Sequence, residues 1–144
     1  MGCEVVAEVR LPAPAGWFRR RVNVALRLLR YNPKMVSLAL AFVGDSRVRR
    51  LNRRYRGRAG TTDVLSFPGQ GGSDLGEILI SVPQARRQAR QFGTALQQEL
   101  WLLAVHGLLH LAGFDHQRLR DRRRMQRWEQ RLLTGRSLIR RSAS

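Results

Sequence analysis

The sequence is poor in lysine, cysteine and acidic residues. Only one of its 27 cationic residues is a lysine (Lys34), and ten acids oppose them, so the 144-residue chain carries a formal charge of +17. Cys3 is the single cysteine, which excludes an intramolecular disulfide and a cysteine-based metal cluster. Such an excess of positive charge favours a polyanionic partner, either a nucleic acid or an anionic membrane surface.

Long hydrophobic runs are also missing. No apolar stretch approaches the roughly 20 residues that a membrane-spanning helix needs. The first residues, Met1-Gly2-Cys3-Glu4, lack the cations and the apolar segment of a signal peptide. We therefore expect a cytoplasmic protein with no membrane partner. Its hydrophobic (43%) and charged (26%) fractions are those of a globular protein, and its length suits one domain over residues 1–144.

Alternating strand and helix patterns predict an α/β or α+β domain with a four-stranded sheet. We expect Pro68 to end the third strand and residues 69–72 to form a flexible loop. We expect Thr94 to open the fourth helix through a capping box. Residues 135–144 are expected to be a loose basic tail. The predicted strands cover 4–10, 36–43, 61–67 and 75–82, and the predicted helices cover 17–29, 48–56, 83–92, 94–111 and 117–133.

The three histidines form the clearest chemical signal. All of them fall in one HxxxHxxGxxH pattern, which matches the extended zinc motif of metzincin proteases. His106 and His110 are four residues apart and so share one helix face, and a turn at Gly113 can bring His116 to them. A histidine pair alone arises often by chance, but the full pattern favours one Zn²⁺ over nickel, iron or manganese. Three imidazoles leave a fourth position for water, as in a catalytic site.

Gly107 departs from the protease motif. A zinc protease carries glutamate directly after the first histidine, as the base that activates water. Glycine cannot accept a proton, which disfavours peptide hydrolysis by that mechanism. Together with the charge of +17, this indicates a hydrolase whose substrate is a phosphodiester in RNA or DNA.

Three blocks of sequence carry a family resemblance: residues 51–57 (LNRRYRG), residues 61–68 (TTDVLSFP) with 75–81 (LGEILIS), and residues 106–116 (HGLLHLAGFDH). In this order they resemble the YbeY family of bacterial single-metal endoribonucleases that act in ribosomal RNA maturation. The third block resembles the family signature HGxLHLxGxDH throughout. The similarity covers roughly residues 36–133.

The resemblance implies a mixed sheet, three strands parallel and one antiparallel, packed by about five helices. It implies one zinc ion on His106, His110 and His116, and it places Arg56 near the metal as a catalytic residue that holds or processes RNA. A guanidinium suits that role because it binds phosphate through two hydrogen bonds and stays charged. It also implies action in 3′-end processing and quality control of small-subunit ribosomal RNA, with ribosomal proteins or a GTPase as possible partners.

The general base stays open at this stage. Asp115 can act as base, as a hydrogen-bond partner of a histidine or as a helix cap, and we favour the last two roles. Glu77 is a weaker candidate for the base. Ser66 and Phe67 are expected to line the cleft, although Phe67 can equally be a core residue.

The last predicted helix departs from the family. YbeY proteins typically carry an acidic helix after the third histidine, whereas residues 117–129 of this chain (QRLRDRRRMQRWE) are rich in arginine. The arginines either contact ribosomal RNA phosphates or form a solvated face.

Two alternatives to an endoribonuclease remain. One is a non-catalytic ribosome-associated maturation factor whose zinc is structural, and the other, disfavoured by Gly107, is a metalloprotease-like hydrolase.

Overall fold

The computed structural model describes residues 2–56, 63–114 and 119–135 of the chain. Strands and helices alternate along most of it, as the sequence patterns predict. The elements are β1 (Gly2–Ala7), α1 (Ala15–Leu28), β2 (Ser37–Val43), α2 (Asp45–Arg56), β3 (Val64–Gly71), β4 (Asp74–Ser81), α3 (Val82–Phe92), α4 (Leu96–Leu111) and α5 (Leu119–Thr134).

The four strands form one mixed sheet in the order β1-β2-β4-β3. β1 and β4 both run parallel to β2, whereas β3 pairs antiparallel with β4. This confirms the expected α/β class. The described residues form three parallel strands, one antiparallel strand and five helices.

Both faces of the sheet are covered by helices. Because side chains alternate along a strand, Leu40 and Phe42 of β2 face a large core formed with α1, α3, α4 and α5, while Ala41 and Val43 face a smaller core formed with α2. Burial on both faces explains the nearly continuous apolar sequence of β2. Consequently α4, which carries two histidines, and α2, which ends at Arg56, lie on opposite faces of the sheet.

Three expectations about element boundaries are wrong. β1 covers Gly2–Ala7 and not residues 4–10. β3 does not end at Pro68 but continues to Gly71, with an irregularity in its pairing to β4 between Pro68 and Gly71 that accommodates the proline. Residues 69–72 are therefore mostly strand and turn rather than a flexible loop. Thr94 does not cap α4: its amide donates to the Ala89 carbonyl at the end of α3, and Ala95 is the N-cap residue of α4.

The start of α2 is attached to the start of α3. The Asp45 carboxylate accepts hydrogen bonds from the Ser81 hydroxyl (2.5 Å) and the Arg87 guanidinium (2.6 Å). Ser81 also caps α3 by accepting from the Gln84 amide. Burial alone would raise the pKa of Asp45, but the hydrogen bonds and the nearby arginine charges outweigh it and lower that pKa. The network fixes the direction of the helix that ends at Arg56.

Among the described helices, none combines the length and apolar character that crossing a membrane requires.

Glu99 is an acid buried in the first turn of α4, with only 7% of its surface exposed. Burial raises its pKa, and so does the nearby Asp63 carboxylate, while the His106 imidazole acts in the opposite direction. A raised pKa means that the folded protein disfavours the charged carboxylate, so Glu99 destabilises the fold at neutral pH.

We expect Glu99→Gln to raise the melting temperature at pH 7 by a few degrees. The gain should shrink as the pH falls below the raised pKa of the folded state, and it should vanish below the ordinary pKa of glutamate, about 4.3, where the wild-type carboxyl is protonated in both the folded and the unfolded states. Thermal unfolding of both proteins from pH 4 to pH 8 checks this, with Glu4→Gln as an exposed control. A gain that does not depend on pH would contradict the explanation.

Candidate metal centre

α4 is a mostly buried helix that leaves its histidines accessible. Leu100, Leu108 and Leu109 are almost completely buried, while His106 is partly exposed and His110 is exposed. The helix ends as the sequence predicts: Gly113 adopts φ +94°, and the amides of residues 112–114 donate to carbonyls of the last turn. The apolar face therefore fixes α4 against the sheet, and both histidines lie on the remaining surface.

His106 and His110 line one cavity of about 310 Å³ between α4 and α5. This is the arrangement that their four-residue spacing predicts. The α5 side of the cavity is formed by Arg122, Met125, Gln126 and Glu129. The cavity therefore joins two imidazoles, a carboxylate and a guanidinium.

A short polar contact in this cavity joins the two helices. The carboxylate oxygen Oε2 of Glu129 lies 2.8 Å from Nε2 of His106. Neither side chain is deeply buried, because 32% of the His106 side chain and 25% of the Glu129 side chain are exposed. The contact is short enough for a charge-assisted hydrogen bond that fixes the imidazole ring.

Gly107 packs closely against the sheet. A Cβ atom at this position would lie 2.6 Å from Cγ2 of Ile78 and 3.1 Å from Oγ of Ser66. These two residues are paired across β3 and β4, and the Ser66 hydroxyl donates to the Gly107 carbonyl (3.3 Å). Position 107 therefore carries no base and also has no room for one, because the glutamate of a zinc protease would not fit between helix and sheet.

The chemistry of the described donors suits a metal ion. Imidazoles are common Zn²⁺ ligands. A carboxylate is a common hydrogen-bond partner of an imidazole that binds zinc. Within residues 2–56, 63–114 and 119–135, however, no three His, Cys, Asp or Glu side chains are arranged to hold a metal. A complete ligand set therefore needs a further donor, and His116, which the sequence predicts for this role, lies outside the described residues, as does Asp115.

The remaining predicted site residues fall in different places. Arg56 is the last residue of α2, and the position of its guanidinium lies outside what the structure describes. Ser66 is placed next to the histidine helix by its bond to Gly107. Phe67 and Glu77 pair with each other on the opposite face of the sheet from Ile78, where Phe67 packs into the smaller core. The core interpretation of Phe67 is thus supported, and Glu77 is not brought to the histidines.

Sequence reasoning missed Glu129. The signal was present, because Glu129 stands four residues after Met125 and three before Leu132, in the stripe that α5 buries. An acid inside an apolar stripe needs a buried or half-buried partner, and here that partner is His106.

We expect Gly107→Ala to destabilise the protein by about 1–3 kcal/mol, because the added methyl group overpacks the contact with Ile78. The sign of this stability change is informative, because in an unconstrained helix alanine is more stable than glycine by about 1 kcal/mol. Chemical unfolding measures the change. Gly44→Ala is the control, because nothing lies within 4 Å of a Cβ at that position. A Gly107→Ala protein as stable as wild type would show that the helix does not depend on this close approach.

Comparison with known proteins is consistent with this fold. The solution structure of a Thermotoga maritima protein superimposes with a TM-score of 0.70 at 23% identity, covering 92% of this chain and 87% of that one. At this identity the likeness shows the fold alone.

Sequence comparison identifies the family. Relatives named "Endoribonuclease YbeY" from Myxococcus xanthus, an Anaeromyxobacter strain and Pelotomaculum thermopropionicum are 43%, 42% and 41% identical, over 72%, 84% and 84% of this chain. The matches span 38%, 65% and 85% of those relatives' own lengths. A sequence model described as "Endoribonuclease YbeY" matches residues 7–136, and the chain therefore belongs to the YbeY family.

Proposed function

We propose that this protein is a metal-dependent endoribonuclease that cuts single-stranded segments of ribosomal RNA. The observation that carries the proposal is the cavity that His106 and His110 share with Glu129 in a chain of charge +17. The names of the relatives support the class of reaction, and the positive charge supports a polyanionic substrate. Maturation of the 3′ end of small-subunit ribosomal RNA, with a role in quality control, is the specific task we assign to it.

The metal in this proposal is one Zn²⁺ held by His106, His110 and His116. When bound there, zinc would supply Lewis-acid chemistry, polarising a phosphoryl oxygen or lowering the pKa of a water molecule toward neutrality. For the metal to bind, the imidazoles must be neutral, and α4 presents His106 and His110 on one accessible face. The excess of arginines draws the RNA backbone toward this face.

Arg56 is the catalytic residue that we assign to charge stabilisation. A guanidinium can make two parallel hydrogen bonds to a phosphate and offset the negative charge that builds up as the phosphodiester is attacked. Because α2 and α4 lie on opposite faces of the sheet, the assignment of Arg56 rests on its match to the YRG segment of the family. Proteolysis is disfavoured, because Gly107 leaves no room for the protease base.

The arginines of α5 are a second part of the proposal. Arg123 and Arg127 are exposed and line a shallow groove of about 590 Å³ that shares Gln126 and Glu129 with the histidine cavity. A positively charged groove continuous with the site suits the backbone of a single strand. We assign these side chains to phosphate contacts that raise affinity without specifying sequence. The partner is then the small ribosomal subunit in the cytoplasm, with ribosomal proteins or a GTPase as further partners.

We expect the wild-type protein to bind one zinc ion per chain and to cleave ribosomal RNA. His110→Ala should lose both properties, because it removes a ligand. Arg56→Ala should keep the zinc and cleave about 10²- to 10³-fold more slowly, the usual effect of removing one charge-stabilising group. Arg53→Ala is the matched control, since Arg53 is exposed on the same helix. Metal analysis and a gel-based cleavage assay measure the two properties.

Two results would contradict this function. A protein that binds one zinc yet cleaves no RNA, and whose variants still support ribosomal RNA maturation, would be the non-catalytic maturation factor. Equal cleavage by the Arg56→Ala and Arg53→Ala proteins would remove Arg56 from the mechanism.

We expect the double variant Arg123→Glu, Arg127→Glu to bind single-stranded RNA more weakly and with less salt dependence. Each lost phosphate contact reduces the slope of log K against log salt by about 0.7, so two lost contacts reduce it by about 1.4. Arg86→Glu, Arg90→Glu is the control, because these arginines are also exposed and four residues apart, but lie on α3. Binding titrations at several salt concentrations measure the slope, and identical slopes for the two double variants would exclude the α5 contact.

A further inference from the structure

Glu129 is an acid in strongly basic surroundings. α5 contains six arginines and two acids, and the general field of this chain therefore attracts anions to the helix. Yet the Glu129 carboxylate lies beside His106, with Oε2 and Nε2 2.8 Å apart, in the cavity that also contains His110. A negative charge at this point opposes the attraction of RNA phosphates, so nucleic-acid binding does not explain it.

Packing fixes the carboxylate in this position. Met125 and Leu132, on the same stripe of α5, are 7% and 2% exposed. The Trp101 indole of α4 also donates to the Leu133 carbonyl (3.4 Å), which joins the two helices near the end of α5. Because α5 is held against α4 on both sides of Glu129, the His106–Glu129 contact follows from the core and not from surface charge pairing.

Position 107 of α4 cannot supply a carboxylate to this cavity. The residue after His106 is Gly107, whose missing side chain is required by the contact with Ile78 and Ser66. The described residues also contain no three-donor metal set, so Glu129 is not a third ligand alongside His106 and His110. What remains is action through His106: a carboxylate hydrogen-bonded to Nε2 fixes the ring and strengthens the imidazole as a ligand through its other nitrogen, so Nδ1 is the atom that would bind the metal.

We propose that Glu129 is a positioning residue of the metal centre, which orients the His106 imidazole and adds the negative charge that tightens binding of a divalent cation by His106 and His110. This inference rests on the proposed function, since it presupposes that these histidines hold a metal. It assigns to α5 a role in the metal site in addition to its arginine surface.

The test measures zinc affinity by competition with a chelator. Glu129→Gln should bind zinc about 10- to 100-fold more weakly than wild type, the usual cost of losing a carboxylate behind a metal-ligating histidine. Glu4→Gln is the matched control, because it removes the same charge from an exposed position on β1, and it should bind zinc as wild type does. Glu129→Asp should fall between wild type and Glu129→Gln, because it keeps the charge but shortens the side chain.

A second measurement separates positioning from a general structural effect. In the metal-free protein, the ¹⁵N signals of the His106 ring should shift in Glu129→Gln and remain unchanged in Glu4→Gln, while thermal unfolding confirms that each variant folds. If Glu129→Gln does not fold, the intermediate zinc affinity of Glu129→Asp decides the question.

The outcomes distinguish this inference from the function beneath it. Wild-type zinc affinity and ring signals in Glu129→Gln would overturn the role of Glu129 alone and leave the endoribonuclease untouched. A wild-type protein that binds no zinc would overturn the inference and the proposed metal centre together. Wild-type zinc binding, with the expected loss in Glu129→Gln but no cleavage of RNA, would support the inference and refute the proposed enzyme.

Discussion

The close contact of α4 with the sheet at Gly107 is the constraint on which the site depends. Because this glycine brings the helix backbone against Ile78 and Ser66, the neighbouring positions of α4 have fixed orientations. The buried leucines lie on one side, and His106 and His110 lie on the other, toward α5. The same contact excludes a glutamate after the first histidine, so the packing that builds the site also separates it from the zinc proteases whose histidine spacing it shares.

Charge in this protein has two distinct roles. The exposed arginines create a field that attracts a polyanion without selecting its sequence. The acids are few, and two of them lie near His106. Glu99 is on the same helix as His106, whereas Glu129 is on α5, across the cavity. An acid in such a basic chain is therefore informative, because its position is set by local packing and not by the need for solubility. The site combines a basic approach with a carboxylate, that of Glu129, beside the imidazoles.

Much of the fold was predictable from sequence, because strand alternation, helix caps and the glycine after α4 are local signals. Pairing the two histidines in one cavity was also predictable, since their spacing alone fixes the shared helix face. Failures arose where another element decides the outcome. Thr94 carries a capping motif, but its amide is already used by α3. Glu77 lies in the right segment, yet pairing of β3 with β4 directs it to the wrong face. The spacing of Glu129 within the buried stripe of α5 indicates that it has a partner, but only the packing of α5 on α4 identifies that partner as His106.

The central claim is that the accessible face of α4 holds a single metal ion through its histidines. X-ray diffraction from zinc-loaded crystals, collected on both sides of the zinc absorption edge, tests it most directly. We expect one anomalous peak per chain, bonded to imidazole nitrogens of both His106 and His110. A zinc peak elsewhere in the protein, or one that leaves these two imidazoles without a bond to the metal, would contradict it.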